Sequence, residues 1–136
     1  MNLSKILNKE TLSEIVNFLK ERGLDNDEIR FGINNATNLL KDVPKKFKIY
    51  RIIYLNNPSE LDKEKLGAHW TLNKENLLES YRIMDEKNYC LVTANVSEER
   101  VILRRTFELN AEYPNEMEIL IDNDGKNLDV VSIECF

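Results

Sequence analysis

The chain has 136 residues, 42% of them hydrophobic and 32% charged, a makeup that fits one globular domain with its own core and excludes a disordered or fibrous chain. A formal net charge of −5 excludes a protein that grips nucleic acid chiefly by its phosphates, because that mode needs clustered cations. Lys45-Lys46 and Arg104-Arg105 are too short for a polybasic tract, and no stretch reaches the roughly 20 apolar residues of a membrane span.

In chain order, Leu12, Ile15, Val16 and Leu19 recur at helical spacing up to Gly23, a residue suited to a helix carboxyl-terminal cap. A second amphipathic helix is expected after Asp25 or Asn26, with Ile29, Ile33, Ala36, Leu39 and Leu40 along one side. It must finish before Pro44, because the residue ahead of a proline is pushed out of the helical region. Residues 1–43 therefore read as a helical part and 46–136 as a β part of one domain spanning 1–136.

Residues 47–55 are β-branched and aromatic and predict a strand, followed by a polar loop over 56–65. A short extended piece at 68–71 leads to Asn73, a good amino-terminal cap for a helix through Leu77, Leu78, Tyr81 and Met84 that ends near Asn88. Strands are expected at 89–96, 101–103, 116–121 and 128–135, with a turn at 122–125, while 104–115 fits either kind of element. Helices first and strands later is an α+β arrangement, with a mostly antiparallel or split sheet under packed helices.

Cys90 and Cys135 sit in apolar strand-like runs without metal-ligand spacing and read as buried thiols, which implies a reducing compartment. Residues 1–10 carry no basic segment followed by an apolar run, so the expected location is the cytoplasm. Abundant asparagine and lysine beside scarce glycine and proline indicate an AT-rich coding genome, that of a low-GC bacterium or its phage. With only Gly23, Gly32, Gly67 and Gly125, there is no glycine-rich phosphate loop, and any nucleotide must be held otherwise.

Three groups of residues have chemical potential. Alternation along a strand puts Glu116 and Glu118 on one face, roughly 7 Å apart, close enough to interact and to meet one substrate, although two solvated acids on a sheet face give the same pattern. Arg51 shares its side of the first strand with Phe47, Ile49 and Ile53; a guanidinium so placed suits a carboxylate or phosphate, a structural ion pair, or a side chain reaching out to water. The run 66–71 holds Gly67 beside the only histidine, His69, and the only tryptophan, Trp70. Gly67 permits a turn or a close ligand, Trp70 can stack on a flat ring or fill the core, and Thr71 can orient a carboxylate. His69 lacks a serine or cysteine nucleophile to activate and a second histidine for a typical zinc site, so no metal is expected.

Taken in order, Tyr50-Arg51, then Gly67-Ala68-His69-Trp70-Thr71 before a helix, then Glu116-Met117-Glu118-Ile119-Leu120 on a strand, resembles the mono-ADP-ribosyltransferases of the arginine–serine–glutamate class. The resemblance covers residues 48–122. It implies a split, mostly antiparallel NAD-binding β core preceded by helices. It also implies an enzyme that cleaves NAD at the nicotinamide–ribose bond and passes ADP-ribose to a protein side chain, an arginine where the motif is Glu-x-Glu.

Carried over residue by residue, Arg51 would hold the NAD phosphates, Tyr50 and His69 would also belong to the NAD site, and Thr71 would be the hydroxyl of the second motif. Glu118 would be the catalytic glutamate, Glu116 would engage the acceptor, and Trp70 or Tyr81 would pack on the nicotinamide. The chain departs from the family where His69-Trp70-Thr71 replaces Ser-Thr-Ser. That departure motivates a competing reading, an inactive binding or inhibitor protein on the same fold, such as a phage protein acting on a host factor. A glycosidase needs its two acids spaced across a cleft, which neighbouring positions on one strand fit poorly.

Overall fold

The helical half forms where its caps dictate. Asn8 accepts a hydrogen bond from the Thr11 amide ahead of α1 (Lys9–Glu21), and Asp25 caps α2 (Asn26–Lys41) in a reciprocal capping box with Glu28. The computed structural model describes residues 1–83 and 88–136, and the backbone alone for 80–83. Four further elements follow α2: β1 (Lys46–Tyr54), β2 (His69–Thr71), α3 (Lys74–Ile83) and β3 (Tyr89–Ser97). The last three are α4 (Leu103–Glu112), β4 (Glu118–Leu120) and β5 (Asp129–Cys135). Passage of α3 through Met84 falls outside the described residues.

The architecture is α+β. The five strands form one sheet in the order β4-β2-β1-β3-β5, each antiparallel to its neighbours. Its two halves are unequally joined. β1 and β3 pair from Lys46↔Ser97 to Tyr54↔Tyr89, whereas β1 and β2 meet only at Tyr50↔Thr71. The narrow β2-β4 part therefore hangs from the broad part at a single register pair.

One sheet face carries the main core, in which Ile49, Val92 and Ile119 pack with Ile15, Leu19, Leu40 and Phe107 of the helices. Burying each such side chain is worth about 1.5–3 kcal/mol. α2 lies so close to α4 that a Cβ on Gly32 would come within 2.1 Å of the Ala111 carbonyl oxygen. The other face is covered in part by α3, where Leu78 packs with Ile52, Tyr89 and Leu91.

Two expected strands are corrected. The short strand expected at 101–103 is an isolated bridge between Val101 and Ile121, and Leu103 opens α4, which takes up most of the ambiguous stretch. The buried face of α4 includes Thr106, Glu108 and Asn110 beside Phe107 and Ala111, so polar side chains interrupt the apolar stripe that marks a helix. The last Glu-rich strand begins at Glu118 rather than Glu116, because Met117 takes a left-handed φ of +49°.

Cys90 and Cys135 are not thiols but a disulfide. They stand directly opposite in the β3–β5 register, with Cα atoms 4.0 Å apart. Their separation of 45 residues in sequence gave no hint of that register. The argument from free thiols to a reducing compartment falls with them. Among the described residues, no helix is long and apolar enough to cross a membrane.

Candidate functional site

Two register pairs build the site. Tyr50↔Thr71 and Thr71↔Glu118 align these residues in one row across β1, β2 and β4, on the face opposite the helical core. There they line a cavity of about 250 Å³, together with Arg51, Ile52, His69, Trp70, Leu77 and Glu116. Segments remote in sequence thus converge where the sheet is nearly divided.

The two acids reach the cavity by different routes. Glu118 projects from β4, and His69 Nδ1 lies 3.3 Å from its Oε1. Glu116 precedes the strand, and the left-handed backbone at Met117 intervenes before Glu118. The Thr71 hydroxyl steadies this bend: it lies 3.1 Å from the Glu116 carbonyl and 3.3 Å from that of Met117, and accepts a hydrogen bond from the Asn73 amide. Thr71 is thus a support for the acidic segment. The Glu116 carboxylate has no hydrogen-bond or ion-pair partner among the described residues, whereas Glu118 already meets His69.

Arg51 occupies the gap between β1 and β2. Its Nη1 donates to the His69 carbonyl at 2.7 Å, and the guanidinium lies against Gly67. A Cβ there would sit 2.9 Å from Nη1, and the backbone φ of +88° also favours glycine. The anion expected beside this guanidinium is, in its observed hydrogen bond, a backbone carbonyl.

Trp70 faces the other way. It pairs with Ile119, is 2% exposed within the main core, and donates from Nε1 to the Gly67 carbonyl at 2.9 Å. Of its two expected readings the ring takes the core one, because strand alternation turns the indole inward when His69 and Thr71 face the cavity, while Trp70 still contributes to the cavity lining. The Tyr81 side chain lies outside the described residues, and the α3 residue seen at the cavity is Leu77.

Ile52 and Leu77, the apolar part of the lining, carry no mark in the sequence that separates them from other core residues. Asn110 and Thr106, which hold β4 from behind, were hidden for the reason that hid α4. No protein-family model, curated protein or solved structure matches the chain.

Proposed function

We propose that the chain is a mono-ADP-ribosyltransferase that uses NAD as substrate and transfers ADP-ribose to a protein arginine. The observation that supports this is the convergence of Tyr50, Arg51, Thr71, Glu116 and Glu118 on one cavity at the narrow join of the sheet. A volume of about 250 Å³ lies just below the usual range for a small-molecule site. It suits the reacting nicotinamide and ribose rather than the whole dinucleotide.

In this reading the bond between the nicotinamide nitrogen and the ribose carbon breaks, and nicotinamide leaves with the bonding electrons. Glu118, fixed beside His69, hydrogen-bonds the ribose and stabilises the positive charge that develops on it. Glu116, whose carboxylate is uncommitted among the described residues, positions the acceptor guanidinium and takes its proton as the new carbon–nitrogen bond forms. Arg51 supplies a cation at the cavity wall for the phosphates, held there by its hydrogen bond to the His69 carbonyl.

The test is nicotinamide release from NAD with an arginine-bearing acceptor. Glu118→Gln keeps the shape and removes the charge, and should lower turnover by about a hundredfold or more, the scale seen when one electrostatic stabiliser is removed. Unchanged turnover would take Glu118 out of the mechanism. The competing reading, a binding or inhibitor protein without chemistry, is favoured by the Arg51 contact with the His69 carbonyl. It predicts no NAD binding by calorimetry together with tight association with a host protein, and micromolar NAD binding counts against it.

A further inference from the structure

Among the described residues β4 is an edge strand with no strand on its outer side, yet its outward backbone groups at Glu118 and Leu120 are all hydrogen-bonded. Asn110 of α4 pairs with Glu118 as a neighbouring strand would: its Nδ2 donates to the Glu118 carbonyl at 2.7 Å and its Oδ1 accepts from the Glu118 amide at 3.1 Å. Farther along, the Leu120 amide donates to Thr106 Oγ1 at 3.1 Å, and the Leu120 carbonyl accepts from the Ile102 amide at 2.9 Å. Asn110 and Thr106 are both fully buried. A buried side-chain amide carries a desolvation cost unless its hydrogen bonds are made; here one goes to the Thr106 carbonyl within α4 at 2.9 Å, and the other two to the residue that carries the Glu118 carboxylate.

We infer that Asn110 is a positioning residue: its two-point clamp on the Glu118 backbone sets where the Glu118 carboxylate stands in the cavity and against His69. The inference rests on the transferase reading for its kinetic consequence only. Thr106 provides the contrast, since its contact is to Leu120, whose side chain does not line the cavity. Loss of a clamp at Glu118 moves the acid; loss of one at Leu120 only loosens the strand.

Because His69 is the only histidine, its ring resonances report the Glu118 contact directly by NMR, whether or not the protein turns over NAD. In Asn110→Ala those resonances should move in the same direction as in Glu118→Gln, and in Thr106→Val they should stay near wild type. Nicotinamide release by Asn110→Ala should fall about tenfold to a hundredfold in kcat, the cost of misplacing a reacting group by an ångström or less, with KM little changed. Should Asn110→Ala fail to fold, Asn110→Asp, which keeps the acceptor for the Glu118 amide and loses the donor to its carbonyl, is scored in the same way. In the wild-type protein the Glu118 amide should exchange with solvent as slowly as the β1–β3 ladder. Wild-type resonances and turnover in a folded Asn110 variant, or a fast-exchanging Glu118 amide, would overturn the inference. If the wild-type protein releases no nicotinamide, the transferase reading fails while the resonance and exchange measurements still decide the role of Asn110.

Discussion

Opening the Cys90–Cys135 disulfide should cost the protein much of its stability and none of its proposed activity. The bridge spans a sequence separation of 45 residues, and closing a loop of that length removes about 13 cal/mol/K of chain entropy from the unfolded state, or about 4 kcal/mol at 25 °C. That is a large share of the 5–15 kcal/mol that typically separates folded from unfolded chains. With an unfolding entropy near 2.1 cal/mol/K per residue over 136 residues, the melting temperature should drop by about 14 °C.

Thermal melts with and without a reductant measure this, and Cys135→Ser, at an exposed position, should reproduce the reduced protein's Tm. The bridge fastens β5, which lies at the opposite edge of the sheet from β4 and Glu118, so nicotinamide release below the lower Tm should not change on reduction. Two thiols titrating in the unreduced, denatured protein would refute the pairing. A Tm indifferent to reductant would refute the entropic estimate.

Two glycines allow further tests. Gly67→Ala should destabilise by about 1–2 kcal/mol, the cost of a side chain in the left-handed region, and push the Arg51 guanidinium off its seat; denaturant unfolding and the KM for NAD report the two effects separately. In Gly32→Ala the new methyl would meet the Ala111 carbonyl of α4 at 2.1 Å, so the two helices must separate. A loss of about 1–3 kcal/mol is expected, and a variant as stable as wild type in urea would show that the contact is looser than the structure has it.

The row of Tyr50, Thr71 and Glu118 was half legible beforehand. Alternation along each strand identifies which residues share a face, because that period is local, but which faces meet depends on pairing between segments far apart in sequence. Arg51 could be singled out as a cation among apolar neighbours, yet its contact with the His69 carbonyl and Gly67 depends on how β1 and β2 diverge. Trp70 had two readings, and only the pairing with Ile119 assigned its ring to the core.

By itself the sequence determined what is encoded locally: two capped amphipathic helices ahead of a region rich in β-branched strands, and hence an α+β chain. Caps, 3.6-residue apolar periods and β-branched runs each act within a few residues, so they can be read without a fold. The tertiary structure alone decided that a stretch with buried Thr106, Glu108 and Asn110 is a helix, that Cys90 meets Cys135, and that Asn110 clamps the backbone of Glu118. Each of these is a partnership between a polar or sulfur group and a distant segment, and partners chosen by packing and register leave no period in the chain.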